Sequence, residues 1–167
     1  MTLTIITINR NNADGLKKTL ESVAAQNCKD YEHIIVDGAS TDESVQIIKD
    51  YVASDAGKNV SYWVSENDTG VYNAMNKGIK HAKGEYCLFL NSGDWFINNN
   101  VIRRISSAEY NDDIVYFDAI VICRNKKSKL TYPDKITSIF FFSKNTLNHQ
   151  NVLIKSSLQK KYLNRLY

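Results

Sequence analysis

The chain has 167 residues, with 43% hydrophobic and 23% charged, so it is long enough for one domain with a proper core and is not a disordered segment. Its net charge of +3 is too small to argue for nucleic acid, and its three cysteines, at positions 28, 87 and 123, form no CxxC pair, which argues against a metal knuckle or disulfide framework. The first residues lack the basic start of a signal peptide, no apolar run approaches the ~20 residues of a membrane span, and unpaired cysteines suit a reducing compartment, so a cytoplasmic chain is expected.

Residues 3–8 form a β-branched run that reads as a buried first strand, ending in the polar loop Asn9-Arg10-Asn11-Asn12. Asp14 is expected to cap a helix with Leu16, Leu20, Val23 and Ala24 on one apolar face, fading near Asn27. Residues 33–36 are the second strand, followed by Asp37-Gly38-Ala39-Ser40-Thr41-Asp42-Glu43. Ser40 and Glu43 have capping-box spacing for a helix with Val45, Ile48 and Val52 inward. Residues 60–64 are the third strand, and Asp68 or Thr69 in the next turn can cap a third helix. On that helix Val71, Ala74, Met75, Gly78, Ile79 and Ala82 share a face, and the small residues permit close approach to the sheet. Gly84 is expected to end it as a left-handed cap, before a fourth strand at 86–90.

Strands alternating with helices predict an α/β fold with a mostly parallel sheet flanked by helices. The rhythm changes after Asp94. Residues 101–106 read as a helix, and 114–122 with 128–132 as an antiparallel pair. Lys126, Lys127 and Lys129 read as a solvated basic loop. A short strand at 152–154 and a basic helix from Ser156 close the chain, which reads as a single domain over 1–167.

The fourth strand runs straight into Asn91-Ser92-Gly93-Asp94. Ligands of open α/β sheets collect outside the carboxyl ends of the strands. A lone carboxylate there, Asp94, is sited to hold a divalent metal against a phosphate, and Asp37 ends the second strand at a comparable place. No GxGxxG follows the first strand and no Gly-Lys-Ser/Thr occurs, so a nicotinamide oxidoreductase and a P-loop phosphotransferase are both disfavoured. His33 and His81 read as structural, Asp42 as a first-turn helix residue, and Trp95 and Tyr72 as packing or as borders of a sugar.

Five segments, in this order and spacing, carry a resemblance. They are Thr7-Ile8-Asn9-Arg10, the stretch from Ile35 through Asp37 to Asp42, the stretch from Ser65 through Asp68 and Gly70 to Ile79, Leu90-Asn91-Ser92-Gly93-Asp94, and Asn148-His149-Gln150. Together the chain resembles the family 2 inverting glycosyltransferases with the Rossmann-like GT-A fold, of the bacterial polysaccharide type. The resemblance implies a nucleotide-diphosphate sugar donor, UDP-sugar favoured, and a saccharide or lipid-linked acceptor in cell-surface polysaccharide synthesis. It implies a nucleotide site built from Thr7, Asn9, Arg10, Asp37, Asp68, Gly70, Ser92 and Gly93, in which a carboxylate accepts from a base ring N–H. It implies a divalent metal, Mn2+ or Mg2+, at Asp94 and His149, although only the last acidic position of the usual aspartate pair is present. Residues 1–94 would be the nucleotide-binding half and 95–167 a partial acceptor half. The general base of such enzymes is an acidic residue after the Asn-His-Gln strand, yet no Asp or Glu occurs between Asn148 and Tyr167. The base is thus expected beyond Tyr167, in a domain truncated at its C-terminus. The alternative is a catalytically incomplete nucleotide-binding domain. Residues 140–142, three phenylalanines, read as core or, if exposed, as an acceptor lip or a membrane-surface contact that would put the chain at the inner face of the membrane.

Overall fold

The computed structural model describes residues 3–124, 126–136, 140 and 146–163. Strand β1 (Leu3–Asn9) runs through the middle of the sheet with all seven residues buried. Such a run of Ile and Thr is satisfied only where both faces of the sheet are covered. β2 (Tyr31–Asp37) and β4 (Tyr86–Phe89) flank β1 in parallel, and β3 (Val60–Ser65) pairs in parallel with β2. Helices α1 (Ala13–Ala24), α2 (Ser44–Ala53) and α4 (Val101–Ser106) cover one face, through Leu16, Leu20, Val23, Ile48, Ile102 and Ile105. Helix α3 (Val71–His81) covers the other with Ala74, Met75 and Ile79. The small face of α3 acts as expected: a Cβ at Gly78 would lie 2.5 Å from Ile6 Cγ2. Val71 departs from that face and is exposed at the helix start.

Strand β5 (Ile114–Tyr116) opens the second half. β6 (Ala119–Cys123) and β7 (Lys126–Leu130) follow as a separate two-stranded sheet. β8 (Val152–Lys155) inserts antiparallel between β4 and β5, giving the order β3-β2-β1-β4-β8-β5. Helix α5 (Ser156–Tyr162) returns to α3, where Lys160 donates to the Ala82 carbonyl at 2.6 Å. The α/β fold is as the sequence predicts, and among the described residues no helix is long and apolar enough to cross a membrane.

Five local expectations are corrected. The run 114–122 is not one strand. The Phe117 backbone is held by Asn151, whose carbonyl accepts its N–H at 2.9 Å and whose side-chain amide donates to its carbonyl, so the chain leaves the main sheet there. Lys126, Lys127 and Lys129 consequently lie on a strand rather than in a loop. Helix α1 is capped by Asn12, which accepts from Gly15 N–H at 3.3 Å, and not by Asp14. The Ser40–Glu43 capping box does not form, because the Ser40 hydroxyl is engaged by Asp37 and Asn11; instead Asp42 accepts from Ser44 N–H at 3.0 Å. Gly84 is not a left-handed cap. Helix α3 ends at His81, Ala82 turns to an extended ψ of 130°, and the Glu32 carboxylate collects the N–H groups of Lys83 and Gly84. Of residues 140–142 only Phe140 is described, edge-on to Tyr132; Phe141 and Phe142 lie outside the described residues.

Candidate functional site

The carboxyl ends of β1 and β2 lie side by side, with Asn9 opposite Asp37. The Asp37 carboxylate is fully buried and accepts four hydrogen bonds: Asn9 Nδ2 at 2.7 Å, Ser40 Oγ at 2.6 Å, Ser40 N–H at 2.9 Å and Ser65 Oγ at 2.7 Å. Burial alone would push its pKa up, but these donors together hold it below the ordinary carboxylate range. A ring N–H could reach Asp37 only by displacing one of those hydroxyls. Its direct work is to join the loops after β1, β2 and β3. Asn9 Oδ1 is buried beside it with no partner among the described residues. The same loops are sewn together further out, by Asn11 N–H on Ser40 Oγ at 2.7 Å and by Thr41 N–H on Asn11 Oδ1 at 2.8 Å. Asp42 accepts from first-turn or neighbouring amides of both α1 and α2, at Ala13 and Ser44, where the helix dipoles favour an anion.

Thr7 sits one layer beneath this rim. It is fully buried, and its hydroxyl lies 2.9 Å from His33 Nε2. His33 is structural as expected: burial pushes its pKa down to about 3.

Asp68, Gly38, Gly70 and Arg10 form the second group. The Asp68 side chain is only 6% exposed and lies against Gly38, where an added Cβ would fall 2.4 Å from Asp68 Oδ2. Glycine at 38 therefore admits the carboxylate. Asp68 Oδ1 accepts from Gly70 N–H at 2.9 Å, and Gly70 takes a φ of 130° that side chains disfavour. The Arg10 guanidinium stands 3.9 Å from Asp68 and remains 63% exposed, a cation held at the rim with donors to spare.

The third group is the turn after β4. Ser92 N–H extends the ladder to the Ile8 carbonyl at 3.0 Å, and Gly93 takes a φ of 100°. Thr19, buried on α1, clamps this turn: its hydroxyl accepts from Gly93 N–H at 3.0 Å and lies 2.8 Å from the Asp94 carbonyl. Asn12 ties Ser92 to the start of α1 at 3.0 Å. Thr19 was not singled out from the sequence, although its position between Leu16 and Leu20 on the apolar stripe of α1 was a usable signal.

Asp94 and His149 are brought together here. Burial pushes the Asp94 carboxyl up, opposed by a hydrogen bond from Gln150 and by the nearby His149. Burial pushes the His149 imidazole down, opposed by Asp94. His149 Nε2 is 2.9 Å from Asn91 Nδ2, and Asn91 Oδ1 is buried without a partner among the described residues. Among the described residues no three His, Cys, Asp or Glu side chains cluster as a ligand set. The donor set is thus one carboxylate, less charge than a divalent cation needs, and one imidazole whose charged form burial disfavours. That suits a hard divalent cation shared with phosphate oxygens rather than a cage made by protein alone.

All three groups stand at the carboxyl ends of β1 to β4, where open α/β sheets bind ligands. The fold matches solved structures. Residues 1–349 of TarS from Staphylococcus aureus, in complex with UDP-GlcNAc, superpose with a TM-score of 0.75 at 22% identity, covering 96% of this chain and 47% of that one. The mannosyltransferase PcManGT from Pyrobaculum calidifontis, in complex with GDP-Man and Mn2+, gives 0.69 at 16% identity, covering 95% and 46%. In sequence, an uncharacterized glycosyltransferase of Mycobacterium tuberculosis is 41% identical over 108 residues, which is 64% of this chain and 39% of that protein. A PGL/p-HBAD biosynthesis glycosyltransferase of Mycobacterium bovis BCG is 34% identical over 124 residues, covering 72% and 48%. The chain therefore spans less than half the length of these relatives. The model of "Glycosyl transferase family 2" matches residues 4–162, and the chain belongs to that family.

Proposed function

We propose that this domain holds the donor, a nucleotide-diphosphate sugar with UDP favoured, for transfer of the sugar to a saccharide or lipid-linked acceptor with inversion. The observation that carries the reading is the convergence of Arg10, Asp68, Ser92, Gly93, Asp94 and His149 on one end of the sheet, over a floor of Asn9 and Asp37. The complexes of TarS with UDP-GlcNAc and of PcManGT with GDP-Man support the same class of ligand. Arg10, Asn9 and the Asp68–Gly70 turn flank the base and ribose. Asp37 and Thr7 act from beneath, Asp37 by fixing the loops and Thr7 through His33. Ser92 and Gly93 lie beside the diphosphate, their own N–H groups being held by the Ile8 carbonyl and the Thr19 hydroxyl, and Asp94 and His149 would hold Mn2+ or Mg2+. A cation there would offset charge growing on the departing diphosphate. In the reaction the acceptor oxygen bonds to the anomeric carbon, the bond from that carbon to phosphate oxygen breaks, and the hydroxyl proton passes to a general base. None of the residues between Asn148 and Tyr167 is Asp or Glu to take it, and the second reading is that these 167 residues by themselves bind donor without turning it over.

Thermal unfolding with UDP, GDP and CMP, each with and without Mn2+, tests the reading. A nucleoside diphosphate and Mn2+ are expected to raise Tm together, and Asp94→Ala to abolish the metal-dependent part. If no nucleotide shifts Tm, donor binding is refuted; if Asp94→Ala keeps the full metal response, the metal assignment is. Turnover of a sugar nucleotide by the 167-residue chain would reject the second reading.

A further inference from the structure

The β6–β7 ribbon pairs Ile120 with Lys129, Val121 with Ser128 and Ile122 with Lys127. Among the described elements it packs extensively only on itself. A lone two-stranded ribbon is marginal in water. This one also exposes three consecutive aliphatic residues, Ile120 at 49%, Val121 at 41% and Ile122 at 42%. Successive strand residues point to opposite faces, so both faces of the ribbon present aliphatic carbon. Directly paired residues share a face, which places Lys127 and Lys129 beside Ile122 and Ile120. Arg124 turns the chain at the tip with a φ of 47°, and Lys126 follows. Lys129 is paired with Asp118 at 2.7 Å, whereas Arg124, Lys126 and Lys127 form no ion pair with a described residue.

We propose that the β6–β7 ribbon is a docking element for an anionic membrane surface, with Ile120, Val121 and Ile122 entering the headgroup layer and Arg124, Lys126 and Lys127 on lipid phosphates. Charge complementarity selects this occupant. Basic side chains beside a lipid surface each add attraction, and aliphatic side chains among them gain by leaving water. A nucleic acid would take the cations but leave the aliphatic residues uncovered, since strand-binding surfaces for it carry aromatic platforms. A second copy of the chain would bring like charges together. The placement has a consequence that rests on the proposed function. β5 and β4 are both antiparallel to β8, so the chain leaves β5 at the same end of the sheet as the Asn91-to-Asp94 turn. Docking by the ribbon would hold the donor site close to the bilayer, facing a lipid-linked acceptor.

Flotation of the 167-residue chain with phosphatidylcholine vesicles, with and without phosphatidylglycerol, tests the proposal. The native chain is expected to float with anionic vesicles only, and less so at high salt. Lys126→Ala with Lys127→Ala is expected to lower partitioning roughly 30-fold, from about 5-fold per lysine. Ile120→Ser with Ile122→Ser should abolish flotation. The ribbon packs on little else, so these variants should keep their Tm. Absence of flotation overturns the proposal, as does equal flotation with neutral vesicles, or undiminished flotation of either double variant. A dimer that the ribbon variants dissolve without lipid would also overturn it, in favour of self-association. A UDP-induced Tm shift in the same samples reports separately on the donor site; its absence alongside normal flotation would refute the donor reading and leave the docking element standing.

Discussion

Acidification should destabilise this domain through His33, and the size of the effect follows from where the ring sits. His33 is fully buried on β2, its Nε2 faces Thr7, its edge faces Tyr51 at 6.1 Å between centroids, and its Nδ1 has no partner among the described residues. An imidazolium needs two acceptors and hydration, so burial pushes the native pKa down to about 3. In the unfolded chain the ring takes up a proton near its ordinary pKa of about 6.5. Between those values the unfolded state binds the extra proton. Stability is therefore complete above about pH 6.5 and falls by about 1.4 kcal/mol for each pH unit below it, or ~2 kcal/mol by about pH 5. Carboxyls held low in the fold, at Glu32, Asp37 and Asp42, act in the same direction but at lower pH. Asp94 has the opposite sign and His149 the same sign as His33, and both stay in the comparison protein. That protein is Thr7→Val with His33→Leu, which removes the titration without stranding the Thr7 hydroxyl. Urea unfolding at about pH 7 and about pH 5 should show the native chain losing ~2 kcal/mol more than the double variant. Parallel losses in the two proteins would refute the assignment of a buried neutral imidazole.

Gly78→Ala should destabilise by about 1 kcal/mol, because overpacking against Ile6 Cγ2 at 2.5 Å exceeds the gain in helix propensity; a higher urea midpoint would contradict this. Thr19→Val keeps the shape but strips the acceptor from Gly93 N–H. It should cost about 1–2 kcal/mol and weaken the Mn2+-dependent Tm shift, while Thr19→Ser restores both; a Val variant indistinguishable from native in both readouts would remove Thr19 as the clamp. Gly38→Ala drives a Cβ to within 2.4 Å of Asp68 Oδ2 and should reduce the UDP-induced shift far more than stability, so an unchanged shift would show that Asp68 is not part of the pocket.

The frame of this fold was legible wherever one local pattern decided it. Strands β1 and β2 announce themselves as β-branched apolar runs and β4 as a short apolar one, all demanding cover on both faces, and the buried faces of α1 and α3 follow from helical spacing. What the sequence hid was competition between distant partners. Ser40 and Glu43 have the spacing of a capping box, but Asp37 and Asn11 claim the hydroxyl, the latter from 29 residues away. The glycine at 84 looks like a helix terminator until Glu32, 52 residues away, takes its N–H. The run 114–122, apolar but for Asp118, does not show that Asn151 detaches Phe117 from the sheet. At the site, the placement of Asp94 beside His149 could be expected only from the resemblance, since they come from segments 55 positions apart that a single strand insertion joins. That the Asp37 carboxylate faces inward, with every oxygen committed, depends on Ser65 arriving from β3.

The direction of β8 matters more than its length. The mutually parallel strands β1 to β4 deliver their functional loops on the way out, so their donors follow the strand in the chain. Because β8 runs the opposite way, it meets the ligand rim by its entrance, and His149 and Gln150 are set down just before Val152. Helix α5, from Ser156 to Tyr162, then leaves from the opposite end of the strands. Insertions or exchanges there leave this corner of the pocket alone, whereas a single residue added between Asn148 and Val152 shifts the imidazole off the Asp94 carboxylate.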